Sequence, residues 1–473
     1  MSKTQERDGA FFSRQEARRI IRIGVPVFMA QMSTMLMGLV DTVMTGHYRT
    51  MDMAAVALAM SIWMPISLCG VGVMLALAPL VAQRLGANER HKAPHLLRQG
   101  MLLALAICVP LMALLFFIAA NIHWFGMEDE LAVICANFLR VISFGLPGFL
   151  LFITVRGLLD ADARPRPAMI IAGSALLLNI PCNYLLINGY CGLPELGGVG
   201  SAVANVLVFW YMSLALIHYT RKAASYSDMQ PLYSPLWRVV PGQSRVDRAV
   251  MARIFRIGLP GALALLFEIG AFSLASLFLA PLGALVVAGH QIALNYSGIL
   301  FMLPLSLCIT CTIRVGRCLG EGRPLAAKSV VWTALCLGLG LAVVSMSLSM
   351  IFRHQIVSLY SGDMAVLELG AGLLLYVAAF QLVDAIQIIN IGALRGYNDT
   401  RFISLASFLG YWCTGLPVGF VLARTDLLVP RMGAAGFWVG FVLSLSLLAV
   451  ILLLRLRKLH RLGPDEVRAL IER

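Results

Sequence analysis

Twelve long apolar runs follow one another along this chain of 473 residues, and they constrain its fold more than any motif does. Each run is long enough for a spanning helix, which needs about 20 mostly apolar residues. The runs are too long and too uniformly apolar to be the alternating strands of a membrane barrel. The predicted spans are 18–45, 53–83, 97–120, 131–156, 167–188, 198–219, 254–279, 284–317, 328–352, 368–393, 402–423 and 433–456. The sequence therefore predicts an all-α polytopic membrane protein with twelve transmembrane helices.

Composition favours the same class of protein. Of all residues, 59% are hydrophobic and only 13% are charged, whereas a soluble domain carries about 25% charged residues. So much apolar surface cannot be hidden inside one soluble core. The same numbers exclude collagen-like, disordered, coiled-coil and disulfide-scaffold classes.

The basic residues predict the orientation. Lysine and arginine are retained on the cytoplasmic side of membrane proteins. With the N-terminus inside, 32 of the 37 lysines and arginines fall in the termini or in every second loop. We therefore expect both termini in the cytoplasm. This placement also explains the net charge of +13 without any nucleic-acid partner, because basic inner loops attract anionic lipid headgroups.

An internal repeat divides the chain into halves. The segment Arg19–Pro26 recurs as Arg253–Pro260, and an Arg-Gly-x-x-Asp motif recurs from Arg156 to Arg395. We predict two pseudo-symmetric six-helix bundles in parallel orientation, with a binding site between them and access that alternates by rocking. The predicted segments are a cytoplasmic N-terminal segment 1–17, an N-terminal bundle 18–219, a cytoplasmic linker 220–250, a C-terminal bundle 251–456 and a cytoplasmic tail 457–473.

Three acidic residues, Asp41, Glu268 and Asp384, lie well inside predicted spans. A charge at the membrane centre costs about 2.5–3.5 kcal/mol on insertion scales, so such acids are functional candidates, although each could instead make a structural polar contact. Glu268 in span 7 and Asp384 in span 10 both lie roughly 17 Å from the inner face at 1.5 Å per residue. Neither span holds a basic partner, so the two acids would repel one another if both were ionised. We therefore expect reversible binding of Na⁺ or H⁺ there.

Amide side chains accompany these acids. Gln381 and Gln387 lie three residues either side of Asp384, close to its face of the helix. Asp41 lies in the outer part of the first half, and Asn179 and Asn183 are one turn apart on one face of span 5. The carboxylate and the two amides could form a second cation or polar site. Alternatively, the two asparagines only bridge helices.

These stretches resemble the multidrug and toxic compound extrusion (MATE) family, specifically its bacterial NorM-like branch. The similarity runs in order from about residue 17 to residue 458. The segments that resemble the family are Gly38–Gly46, Asn179–Tyr184, Pro194–Gly200, Ala280–Gly283, His290–Asn295 and Leu394–Tyr397.

The resemblance implies an efflux antiporter that exports cationic or amphipathic drugs and toxins in exchange for inward Na⁺ or H⁺. It implies cation coupling at Glu268 and Asp384, where Na⁺ is the candidate metal, and a first-half site at Asp41 with Asn179 and Asn183. Gln291 and Asn295 match a family segment that faces the central cavity. We also expect a bacterial inner-membrane location, lipid contacts, a functional monomer and no cofactor.

We assign Phe380, Gln381 and Gln387 to the substrate cavity as well. Position 380 departs from the family, because some relatives carry a tyrosine there. A phenyl ring can attract a cation, but it offers no hydroxyl ligand.

Two other functions are weaker alternatives. A lipid or oligosaccharide flippase of similar architecture would favour arginines in the cavity, and here only Arg140 falls within a span. A membrane enzyme is disfavoured because the chain lacks H-E-x-x-H, and Asp384 sits in Val-Asp-Ala-Ile rather than in a glycine-flanked acid motif. The chain also lacks the G-x-x-x-x-G-K-[ST] loop of ATP-driven pumps. We therefore predict a transporter rather than an enzyme, with the choice between Na⁺ and H⁺ open.

Overall fold

The computed structural model describes residues 12–125, 128–192, 194–229, 246–361, 363–427, 429–463 and 466. Every regular element in these ranges is helical. Parts of three predicted segments, the N-terminal segment 1–17, the linker 220–250 and the tail 457–473, lie outside the described residues. These parts are 1–11, 230–245, 464–465 and 467–473.

Sixteen α-helices can be followed through the described ranges. They are α1 (Arg14–Tyr48), α2 (Thr50–Met74), α3 (Leu77–Gly86), α4 (Ala93–Ala120), α5 (Asp129–Ser143), α6 (Leu146–Ala161), α7 (Arg166–Asn188), α8 (Gly198–Lys222), α9 (Arg248–Leu279), α10 (Ala284–Gly320), α11 (Pro324–Ile351), α12 (Arg353–Ser358), α13 (Met364–Gly396), α14 (Thr400–Ser407), α15 (Leu416–Arg424) and α16 (Ala434–Leu459). Short 3₁₀ turns lie at Arg90–Lys92, Ile122–Phe125, Tyr190–Gly192, Ala224–Met229 and Ala280–Leu282.

The helices confirm the predicted fold class. Within the described ranges, eleven helical stretches are long and apolar enough to cross a membrane, and a bent pair of helices supplies a twelfth. Each of the twelve overlaps one predicted span. The side of the membrane on which the termini lie stays a prediction.

The fourth predicted span is broken into α5 and α6, which meet at an angle of 43°. Pro147 lies in the first turn of α6 and has no N–H, so the carbonyl of Ser143 lacks its helical donor. The break therefore has a local cause in the sequence, although hydropathy alone shows one continuous span.

The eleventh span contains a segment of π-helix at Phe408–Gly415, between α14 and α15. The hydroxyl of Thr414 donates to the carbonyl of Leu409, five residues earlier, at 3.1 Å. Widened turns of this kind occur mostly at functional sites. This one turns Tyr411 into the interior, where its side chain is 1% exposed.

Packing divides the chain into two compact units. The first unit is Met29–Ala262, and the second joins the described residues before Met29 to those after Ala262. Both boundaries fall inside a helix, within α1 and within α9. They lie at matching positions of the repeat, because the register that aligns Arg19 with Arg253 also aligns Met29 with Leu263.

The start of each of these helices is held in the same way within its unit. In the second unit the backbone N–H of Ser13 donates to Thr333 Oγ1 at 3.1 Å. In the first unit the backbone N–H of Asp247 donates to Gln99 Oε1 at 3.0 Å. The two donors correspond in the register of the repeat, and so do the two acceptors. The structure therefore repeats a contact that the sequence repeat does not reveal, because its acceptors are different residue types.

Asp247 also caps α9. Its Oδ1 accepts the backbone N–H of Val250 at 3.1 Å, and its Oδ2 lies 3.1 Å from His95 Nε2. The Val250 N–H and the His95 side chain hold the pKa of the Asp247 carboxyl below its usual value. Glycines allow the following turns of α9 to approach α2 closely, since a Cβ added to Gly258 would lie 2.6 Å from the Cα of Val73.

Candidate functional site

The first unit holds Asp41 in a buried cluster of amides. Asp41 Oδ1 accepts hydrogen bonds from Asn183 Nδ2 at 2.8 Å and from Asn179 Nδ2 at 3.2 Å. Its Oδ2 accepts from Asn205 Nδ2 at 2.7 Å. Asp41 is 5% exposed, and both Asn179 and Asn183 are fully buried. Three N–H donors around one carboxylate stabilise its ionised form.

The sequence reading placed three of these four residues together, and the structure brings those three together. Asn179 and Asn183 are four residues apart on α7, so both amides lie on one face of that helix. Asn205 on α8 was missed, although it makes the shortest of the three bonds. A single amide within an apolar span was the available signal, but no spacing linked it to Asp41. The role of this cluster in cation coupling stays a prediction.

The second unit holds Glu268 and Asp384. Glu268 lies on α9 and is half-buried, whereas Asp384 lies on α13 and is 3% exposed. The two carboxylates are close enough to interact electrostatically. The Tyr411 hydroxyl of the π-helical segment lies beside Glu268. The structure therefore brings together the two acids that the sequence placed at one depth.

One expectation about this pair was wrong. We expected no basic partner in either span, but Arg395 interacts electrostatically with Glu268. The physical reason is the length of α13, which continues to Gly396, past the predicted end of span 10 at residue 393. Arg395 lies in this extension and is 8% exposed.

Two glutamines flank Asp384 in different surroundings. Gln381 Nε2 donates to Ser349 Oγ at 3.2 Å, while Gln381 Oε1 has no hydrogen-bond partner among the described residues. Gln387 is fully buried, and neither of its amide atoms has a partner within the same ranges. Asn390, three residues further along α13, is equally buried and equally unpaired there. The sequence reading missed Asn390, although it continues the row of amides along the helix.

Phe380 belongs to a cluster of aromatic rings next to the acids. Its ring lies edge-on to Trp438 at 5.5 Å and to Phe272 at 6.1 Å between centroids. Phe272 in turn lies 4.4 Å from Phe441. Phe380 is 5% exposed. Its ring is therefore largely enclosed by other aromatic side chains.

Gln291 and Asn295 take no part in these two clusters. Both side chains are exposed, and they lie on one face of α10 because they are four residues apart. Their assignment to the substrate cavity stays a prediction. Arg140 on α5 is exposed as well, and it donates to Asn137 Oδ1 at 3.1 Å.

The clusters suit a monovalent cation or a proton better than a structural metal. Among the residues that the structure describes, His, Cys, Asp and Glu side chains form no group of three or more that could hold a metal ion. Single carboxylates with amide and hydroxyl neighbours supply oxygen ligands, which hard cations prefer.

Comparison with known proteins follows the repeat. The MatE family model matches residues 26–185 and 260–421, one stretch in each half. The chain is similar to the eukaryotic MATE transporter AtDTX14, with 21% identity, a TM-score of 0.85 and coverage of 97% of this chain and 98% of that one. It is also similar to a multidrug resistance MATE family transporter in an outward-facing conformation, with 18% identity, a TM-score of 0.81 and full coverage of both chains. A MOP superfamily transporter from Pyrococcus furiosus matches with 18% identity and a TM-score of 0.79 over 99% of both chains. At these identities the structural matches establish the fold alone.

Proposed function

Because the chain belongs to the MatE family of membrane transporters, we propose that it is a secondary active multidrug efflux antiporter. It exports cationic or amphipathic compounds in exchange for Na⁺ or H⁺ that moves inward. The observation that supports this most is the pair of interacting carboxylates in the second unit. Glu268 and Asp384 lie within apolar helices, where an acid is costly unless it binds something.

The proposed mechanism is alternating access by rocking. A lipophilic cation enters from the cytoplasm and is held by apolar walls and by negative charge. On the outer side, Na⁺ or H⁺ binds the acids and releases the drug. Coupling requires only that the two ligands compete, or that they stabilise different states of the same protein.

The surroundings of the acids support this exchange. Glu268 has both a hydroxyl neighbour, Tyr411, and a basic neighbour, Arg395. Arg395 offsets part of the negative charge when the coupling ion has left, because an opposite charge favours the ionised carboxylate. The pair can therefore alternate between loaded and empty states without two uncompensated charges.

The remaining parts of the proposal concern place and partners. The multi-pass helices indicate a membrane protein, and we propose the bacterial inner membrane as its location. Its partners are small cationic drugs and toxins together with membrane lipids, and it acts as a monomer.

Ethidium efflux from vesicles tests the proposal. The double variant Glu268→Gln, Asp384→Asn is expected to lower ion-driven efflux by about 10- to 100-fold, the usual range of a coupling free energy. Glu368→Gln is the matched control, because Glu368 is an exposed acid on the same helix α13, and it is expected to transport normally. Undiminished ion-driven efflux by the double variant would contradict the proposal. Separate Na⁺ and pH gradients then identify the coupling ion.

A further inference from the structure

A small cavity lies among α10, α11 and α13 of the second unit. Its volume is about 20 Å³, and a site of this size holds one water molecule or one small ion. Most of its lining is apolar carbon. Four polar side chains interrupt it: Ser297, Ser345, Gln381 and Asp384.

Two of these four side chains present unsatisfied oxygens. Gln381 is 7% exposed, and its Oε1 has no hydrogen-bond partner among the described residues. Its Nε2 is held by Ser349, which fixes the orientation of the amide. Asp384 is 3% exposed. Leaving such oxygens unpaired in a dry interior costs about 1–3 kcal/mol each. The cavity therefore lacks a ligand that would interact with them.

The serine hydroxyls can also act as ligands. Ser345 Oγ donates its hydrogen to the carbonyl of Ala342 at 3.0 Å, so its lone pairs remain available. Ser297 is 8% exposed and lines the cavity from α10. A hydroxyl oxygen has two acceptor lone pairs. Both serines can therefore coordinate a cation.

Proline supplies a further oxygen. Pro304 lies within α10 and has no N–H, so the carbonyl of Leu300 lacks its helical donor. Both Leu300 and Pro304 line the cavity. Backbone carbonyls released from helical bonding are the ligands with which transporters of broken-helix design coordinate Na⁺.

From this set of oxygens we propose that the cavity is a binding site for one dehydrated Na⁺ ion. The ligands are the Asp384 carboxylate, Gln381 Oε1, the hydroxyls of Ser297 and Ser345, and the Leu300 carbonyl. One carboxylate balances one positive charge, whereas a divalent ion would leave a buried excess charge, which is costly. The volume excludes an organic cation, so the drug binds elsewhere.

Glu268 is not among the described residues that line this cavity. The two acids therefore have different tasks: Asp384 binds Na⁺ directly, and Glu268 acts on it only through its charge. For its role in transport the site rests on the proposed antiport function, but the binding itself can be measured without transport.

Binding of ²²Na⁺ to the purified full-length protein in detergent tests the site, with choline as the control cation. The variant Ser297→Ala, Ser345→Ala is expected to bind Na⁺ at least about tenfold more weakly, because two ligands are lost. Asp384→Asn is expected to abolish binding, while Glu268→Gln stays within about threefold of the wild type. Ser347→Ala is the matched control, since Ser347 is an exposed serine two residues from Ser345 on α11.

The outcomes separate this proposal from the proposed function. Wild-type affinity in the double serine variant, or equal losses in Glu268→Gln and Asp384→Asn, would overturn the site. If the double variant does not fold, Ser345→Ala alone is the second test, with an expected loss of about threefold. Efflux driven by a pH gradient in a protein that binds no Na⁺ would overturn the site and leave the antiporter standing. Normal Na⁺ binding without efflux under any gradient would do the reverse.

Discussion

Asp41 in the first unit and Asp384 in the second are both buried aspartates in apolar helices, yet their surroundings are opposite. Asp41 accepts three hydrogen bonds from asparagine side chains at 2.7–3.2 Å. Asp384 accepts none from the described residues, and its neighbour Gln381 turns an unpaired oxygen toward the same cavity. One carboxylate is surrounded by donors, and the other by acceptors.

The difference indicates what each site can do. Donors stabilise an ionised carboxylate and hold it in one position without any ligand. Acceptors beside a carboxylate leave negative potential that only a cation or a proton can satisfy. The second unit is therefore built to bind and release an ion, whereas the first unit is built to keep a charge in place. The repeat did not copy either site, since its register aligns Asp41 with Ala275 and Glu268 with Thr34.

The sharpest test of this comparison is the sign of two stability changes. Asp41→Asn removes an acceptor of three N–H bonds and is expected to cost about 3 kcal/mol or more. Asp384→Asn removes an uncompensated buried charge, so in sodium-free buffer it is expected to leave stability unchanged or to raise it. Thermal unfolding in detergent measures both variants. Equal destabilisation by the two substitutions would break the comparison.

Asn205 tests the donor side alone. Asn205→Ala removes the 2.7 Å bond to Asp41 Oδ2 and is expected to cost about 2 kcal/mol. Ser213→Ala is the matched control, because Ser213 is fully buried on the same helix and its hydroxyl has no partner among the described residues. A cost in the control as large as in Asn205→Ala would show that the loss is general to α8.

Tyr411 tests whether Glu268 and the Na⁺ cavity are separate. Tyr411→Phe removes the hydroxyl beside Glu268, so we expect drug efflux to fall about threefold while Na⁺ affinity stays within about twofold. Efflux assays and ²²Na⁺ binding on the same preparation measure the two effects. A parallel loss of both would mean that the acids form one site.

The smallest expected effect is at Phe380, where relatives of this chain can carry a tyrosine. The ring is enclosed by Trp438 and Phe272, so the hydroxyl added by Phe380→Tyr would be buried among apolar rings. We expect a stability cost of about 1 kcal/mol and Na⁺ affinity within about twofold of the wild type. A large gain in affinity would show that position 380 reaches the ion.

The spans and the Asp41 cluster could be predicted because their rules are local. Apolar length identifies a spanning helix, and the four-residue spacing of Asn179 and Asn183 places both amides on one face. Asn205 could not be linked to them, because its contact with Asp41 depends on how α8 packs. The division of α1 and α9 between units was equally hidden, since a helix shows no break in its sequence where its packing partner changes.

The cavity beside Asp384 was out of reach for a similar reason. Its oxygens come from three helices, and the release of the Leu300 carbonyl depends on a proline four residues away. The π-helical segment that turns Tyr411 toward Glu268 has no signal in hydropathy either. Sequence identified the acids, but only packing shows which of them has donors and which has none.

The most direct test of the central claim is the effect of Na⁺ on thermal unfolding in the wild type, Asp41→Asn and Asp384→Asn. An ion that binds only the folded state stabilises it by an amount that grows with concentration. Relative to each protein's own sodium-free melting temperature, Na⁺ is expected to stabilise the wild type and Asp41→Asn, and to leave Asp384→Asn unchanged, with choline inactive on all three. Sodium stabilisation that persists in Asp384→Asn, or that disappears in a folded Asp41→Asn, would contradict the account.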